Sequence, residues 1–131
     1  EKIVNNSKGI IFPGGHIEDN ESIIDSIIRE MQEETGLTIS NLELCGIKDW
    51  IEFDGSRYMV FLYKTSTYSG SIQSSSEGEI FWMLLEELKT LWHLNMMLEI
   101  FEGNRVSELY FNQNLDALVP ETKVGGFLCL N

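Results

Sequence analysis

The sequence predicts an α+β fold in which a mixed β-sheet lies between helices. Three observations carry this: a two-sided helical segment near residues 21–35, two apolar, β-rich stretches meeting at Asp54-Gly55, and a short strand at 80–84 followed by helical segments. In chain order, Glu1–Val4 reads as the end of a strand, and Phe12-Pro13-Gly14-Gly15 leads from it into the helix. Paired glycines let a backbone carbonyl approach a metal or a phosphate, and they equally serve a tight strand-to-helix turn. The helix runs from about Glu21 to Thr35, with Asp19 or Asn20 as N-cap and Gly36 as the residue just past its end. Asn41–Trp50 and Arg57–Ser66 flank the Asp54-Gly55 turn signal and should pair antiparallel. Ser69–Gly78 is a Ser/Gly-rich loop, Ile80–Leu84 a short strand, and Leu85–Leu91 and Asn95–Phe101 are helical. Glu108–Phe111 is a further strand candidate, and Asn112–Asn131 reads as a strand pair or a tail. No repeat or linker interrupts the pattern, so residues 1–131 are read as a single domain.

The segment Gly15–Leu37 carries the chemistry. It reads G-x5-E-x7-R-E-U-x-E-E-x-G-U, with U a bulky aliphatic, and Gly15, Glu21, Arg29, Glu30, Met31, Glu33, Glu34, Gly36 and Leu37 fill every position. At ~100° per residue, Glu30, Glu33 and Glu34 fall within a roughly 100° arc, while Ile24, Ile27, Ile28 and Met31 mark the other side. Three carboxylates so close repel one another, and near the C-terminal half of a helix the macrodipole disfavours them further. Arg29, four residues before Glu33 and eight after Glu21, can pair with either, but one cation cannot neutralise the cluster. A hard divalent cation with oxygen ligands, Mg²⁺ or alternatively Mn²⁺, answers the need. A solvated acidic helix face is the plain alternative. His16, a lone loop histidine, is not counted as a ligand or a base.

Composition narrows the function classes. With 131 residues and 43% hydrophobic content the chain can bury one core but hardly two. No apolar run approaches the ~18 residues of a membrane span, and no secretory leader pattern is present, so the expected location is the cytoplasm. Cys45 and Cys129 are expected to be reduced and unpaired. A formal charge of −12 argues against a nucleic-acid polymer as partner, and it would repel a polyphosphate too unless metal ions mediate its binding.

The filled motif resembles the Nudix box, and the chain resembles the Nudix hydrolases, which implies the α/β/α Nudix sandwich and hydrolysis of a nucleoside diphosphate linked to another group. By that resemblance Glu30, Glu33 and Glu34 are metal ligands with the Gly15 carbonyl beside them, and Glu21 and Arg29 orient the helix face. Glu77, in the Ser-Ser-Glu-Gly-Glu loop, lies where MutT-type members place a further acid, as base or extra ligand, with Glu79 the runner-up. Lys2 lies near where many members carry a basic residue facing the phosphates, and because the family usually has further sheet sequence upstream of this point, the resemblance implies that one or more N-terminal strands, roughly twenty or more residues, are missing from this chain. The strings Phe-Pro-Gly-Gly-His-Ile-Glu and Glu-Gly-Glu-Ile-Phe-Trp look like MutT-type 8-oxo-dGTP diphosphatases, whereas the proline of ADP-ribose pyrophosphatases is absent, with Glu52, Phe53 and Asp54 in that stretch. Trp50, Phe53, Trp92 and Asn95 could supply a purine site; Trp92 and Asn95 lie where MutT-type relatives read the base, although a tryptophan also suits a core and Asn95 could cap a helix from Met96. The expected partner is a small-molecule nucleotide, with a monomer or homodimer acting on it. The implied activity is cleavage of a purine nucleoside triphosphate such as 8-oxo-dGTP to monophosphate and pyrophosphate. The alternatives are another nucleoside diphosphate derivative as substrate, or a non-catalytic Nudix-fold binding or regulatory module.

Overall fold

The computed structural model describes residues 2–7, 9–103, 106–112 and, as backbone, 121–124. Cys129 and most of the 112–131 stretch, on which the sequence left a strand pair or a tail open, lie outside them. The chain forms two compact units, each drawn from two segments.

The first unit, residues 1–42 and 65–91, holds the helix-and-loop region. Strand β1 (Lys2–Asn6) lies between β2 (Ile10–Ile11) and β7 (Glu79–Met83) in an antiparallel sheet. Burial does not alternate along it: Val4 and Asn5, on opposite faces, are both buried, and Asn5 pairs with Ile11 on one side and Ile80 on the other. A second antiparallel pair joins β3 (Thr38–Ser40) to β6 (Thr67–Ser69), neither of which stands out in the sequence. Helix α1 spans Ile23–Thr35. Its N-cap is Ser22, whose side chain accepts from the Asp25 amide, not Asp19 or Asn20. The reason is conformational: Asn20 adopts φ 67°, a left-handed turn, whereas Ser22 has the extended backbone an N-cap needs. Glu21 therefore stands just outside the helix. Gly36 ends it as expected, at φ 83° with its N–H donating to the Gln32 carbonyl. The short helix α2 covers only Leu85–Leu88 of the predicted 85–91 and is followed by turns closing on Glu87 and Leu88.

The second unit, residues 43–64 and 92–131, is a four-stranded mixed sheet with one helix. Strands β4 (Glu43–Ile51) and β5 (Arg57–Lys64) form the predicted antiparallel hairpin, closed by a turn in which the Gly55 amide donates to the Glu52 carbonyl. Strand β8 (Val106–Phe111) runs parallel to β4, and β9 (Glu121–Val124) pairs antiparallel with β8. Helix α3 (Trp92–Phe101) supplies Ile100 to a core with Leu62 and Leu109, bordered by Met96, Met97 and Phe101. It starts three residues before Asn95, so Asn95 sits within its first turn and does not cap a helix from Met96. No helix among the described residues is long and apolar enough to cross a membrane. The fold is α+β with a mixed sheet, as the sequence predicts.

Candidate active site

Three segments of the first unit converge on a cleft of about 400 Å³: β1, the Gly14-Gly15 turn with α1 behind it, and the loop before β7. Asn5, Gly14, Gly15, Glu30, Glu34 and Glu77 line it. Of the predicted ligands, then, Gly15, Glu30, Glu34 and Glu77 share one space. Glu79 starts β7 opposite Asn6 and does not line it. Lys2, opposite Met83 at the start of β1, does not either.

The acidic arc of α1 divides in a way helical spacing alone does not show. Glu33 is 56% exposed at its side chain and reaches Arg29 at 3.2 Å. Glu34, one residue on and ~100° round the helix, is buried. Its Oε1 accepts from Asn5 Nδ2 at 2.5 Å and its Oε2 from the Gly14 amide at 2.9 Å. Burial pushes the Glu34 carboxyl above its ordinary range, with the Glu77 and Glu30 carboxylates adding repulsion, while the two donors pull the other way. Conversely Ile24, expected on the apolar side, is exposed. Four carboxylates flank a single cation here: Arg29 binds both oxygens of Glu21 at 2.8 and 3.1 Å, holds Glu30 at 2.8 Å and Glu33 at 3.2 Å, and lies 3.7 Å from Glu18. It also donates to the His16 carbonyl at 3.0 Å, tying the turn to the helix. Arg29 thus pairs with Glu21 and Glu33 together, where the sequence left either open.

This fork holds the Glu21 carboxyl down at about 2, from an ordinary 4.5, because Arg29 bonds it directly and the Glu18 amide donates to it as well. A carboxyl depressed in the folded state stabilises the fold fully above the unfolded value of 4.5, and that contribution is lost as pH falls towards about 2. The melting temperature of wild type should therefore exceed that of Glu21→Gln at neutral pH. The gap should narrow below about pH 4.5 and close near pH 2. A gap independent of pH in thermal melts across this range would refute the Glu21–Arg29 assignment.

The residues fit a hard divalent cation. A Cβ on Gly15 would lie 2.1–2.6 Å from the Glu30 carboxylate atoms, so only glycine lets that carboxylate settle against the turn backbone. Glu30, Glu34 and Glu77 are oxygen donors crowded enough to repel one another, the condition a cation relieves. Among the described residues no three acidic, histidine or cysteine side chains are drawn tightly enough to grip an ion as they stand, and Arg29 bonds both Glu30 and Glu33. Asn5 is the residue that sequence reading passes over. Its signal is faint: an amide of poor strand propensity following Ile3 and Val4 in a short strand.

Trp92 and Asn95 belong to the second unit, three residues apart in the first turn of α3, and both are exposed. That spacing puts them on neighbouring positions of one helix face. Trp92 is thus not a core residue.

Comparison with known proteins gives the family and the fold. The NUDIX domain family model matches residues 4–101. A Bacillus subtilis protein, the uncharacterised Nudix hydrolase YvcI, is 37% identical over 86 residues, covering 62% of this chain and 54% of the relative. The 8-oxo-dGTP diphosphatase of Buchnera aphidicola is 30% identical over 79 residues, covering 60% of this chain and 58% of that protein. The chain thus spans just over half the length of these curated relatives. Among solved structures, the MutT protein of Bacillus halodurans superposes with a TM-score of 0.74 at 25% identity, covering 92% of this chain and 88% of that one.

Proposed function

Because the chain belongs to the NUDIX family, we propose that it is a divalent-metal-dependent hydrolase of nucleoside diphosphate-linked compounds, with a purine nucleoside triphosphate resembling 8-oxo-dGTP as substrate. The carrying observation is the cleft that Gly15, Glu30, Glu34 and Glu77 line together, beside the Arg29 fork. Glu30, Glu34 and the Gly15 carbonyl would hold Mg²⁺ or Mn²⁺, and Glu33, with one 3.2 Å tie to Arg29, would complete the set. When bound there, the cation would supply charge neutralisation at the phosphate oxygens and a lowered water pKa. Glu21 and Arg29 keep the helix face and the glycine turn in register. Glu77 takes the proton of the attacking water or adds a ligand, and water then adds at phosphorus as the anhydride bond breaks, releasing monophosphate and pyrophosphate. On the family resemblance alone, Lys2, which does not line the cleft, is carried over to the phosphates, and Trp92 and Asn95 to the purine edge. The name of the Buchnera relative supports the oxidised-guanine choice. We retain the single-domain reading, since the family match runs across both units. We also propose free nucleotides as substrates, on the charge of −12, a cytoplasmic location, on the two-thiol composition, and a monomer or homodimer as the acting form.

The test is ³¹P NMR of the products from a panel of nucleotides incubated with Mg²⁺. Monophosphate and pyrophosphate are expected from a purine triphosphate. Orthophosphate as first product, or activity confined to sugar-linked dinucleotides, would move the protein out of the MutT-type group, and no hydrolysis of any nucleotide would leave a binding module. Asn95→Ala should cost about 1–3 kcal/mol of discrimination among purines through loss of one polar contact, with the cleavage chemistry unchanged.

A further inference from the structure

Asn5 holds two of the candidate ligand carriers at once. Its Nδ2 donates to Glu34 Oε1 at 2.5 Å and to the Glu77 carbonyl at 3.2 Å, which uses both amide protons. The strand fixes it there, since β1 is the central strand of its sheet and Asn5 is in register with Ile11 and Ile80 at once. Asn5 is only 2% exposed, yet its Oδ1 has no hydrogen-bond partner. The loop closes directly on that oxygen: a Cβ on Gly78, at φ 138°, would lie 2.1 Å from it. A buried amide whose oxygen has no partner carries a desolvation cost, so the side chain is kept for the two bonds its Nδ2 donates and not for the packing of β1. Departures of this kind from the local rules concentrate where a site needs a group held in place.

We propose that Asn5 is a positioning residue of the metal site, fixing the Glu34 carboxylate to the backbone of the Glu77 loop so that both acids enter the cleft at a set separation. This rests on the metal-dependent reading above. The Gly14 amide holds the other Glu34 oxygen at 2.9 Å, so without Asn5 the carboxylate keeps one tether and can swing about it, while the Glu77 loop loses its anchor to β1. A part that serves only to fold the chain would lower the melting temperature and leave the affinity of the folded fraction for metal unchanged. A positioning part does the reverse.

The experiment uses the full chain and Asn5→Leu, with Mn²⁺ binding followed by the free-ion EPR signal in the absence of nucleotide, thermal melts with and without Mn²⁺, and steady-state kinetics. Asn5→Leu should bind Mn²⁺ at least about tenfold more weakly, show a smaller Mn²⁺-induced rise in melting temperature, and lose kcat at saturating metal while the nucleotide KM stays within about threefold. A folded Asn5→Leu with wild-type Mn²⁺ affinity overturns the proposal. If that variant does not fold, ¹⁵N-labelled wild type decides: the Asn5 side-chain amide signals should shift on adding Mg²⁺, and signals unmoved by Mg²⁺ that still activates the protein overturn the proposal. Wild type that binds no Mn²⁺ overturns both this and the metal-dependent reading, whereas a folded Asn5→Leu with weakened Mn²⁺ binding and a lowered kcat at saturating metal upholds both.

Discussion

Glu34→Gln is expected to lower kcat by at least about a hundredfold and to leave the chain folded, a loss that more Mg²⁺ does not restore. A metal-held phosphoryl site draws several kcal/mol of transition-state stabilisation from its cation, so a misplaced ligand costs about two to three orders of magnitude. Glutamine keeps the volume of Glu34, which matters at a buried position. It cannot keep both hydrogen bonds, because Oε1 accepts from Asn5 and Oε2 from Gly14, and an amide turns a donor towards one of them. Against that loss stands relief of a buried charge facing the Glu77 and Glu30 carboxylates. Metal-free melting should therefore change little or rise slightly. Glu33→Gln is the exposed counterpart: it should also remove most turnover, at the expense of a single surface contact to Arg29. EDTA should abolish wild-type hydrolysis. Near-wild-type turnover in both variants at saturating Mg²⁺ would sink the carboxylate assignment.

Why Glu34 and Glu33 differ is a question the sequence alone could pose but not answer. Local features are legible in it: helical spacing marks α1, Gly36 marks its end, and Asp54-Gly55 marks the hairpin, each within a few residues along the chain. Helix starts are less so, because several capping residues stand in a row and backbone conformation selects among them. Asn20 turns left-handed and Ser22 becomes the cap. At α3 the helix begins at Trp92 where Asn95 looked like a boundary. Hidden altogether are contacts between distant segments. The partners of Asn5 lie 29 and 72 residues away, and no periodicity within β1 announces them. Glu34 becomes a buried, doubly bonded carboxylate, and Glu33 a surface one, only once β1 and the glycine turn close over one side of α1. The box thus names the candidate acids, while the division among them into buried and exposed comes from tertiary contacts.

The loop acid is the sharpest case of that division, and Glu77→Gln is expected to depress kcat by about a hundredfold or more with little change in KM. Glu77 lines the cleft, and its carboxylate stands near enough to Glu34 to raise that carboxyl. Its backbone is held at both ends: the amide donates to Ser75 Oγ at 3.1 Å and the carbonyl accepts from Asn5. A peptide held at both ends limits where its side chain can reach, which suits a base or a ligand beside the cleft. Glu79 lacks these ties to the cleft, being the first residue of β7 and paired with Asn6, so Glu79→Gln is the control and should stay within about threefold of wild type. Metal titration separates the two roles for Glu77. As a ligand, its removal raises the Mg²⁺ concentration needed for half-maximal rate; as a base, it leaves that concentration unchanged and removes the acidic limb of the pH profile of kcat. A Glu79 change more damaging than the Glu77 change would reverse the assignment and place the working acid on the strand instead of the loop.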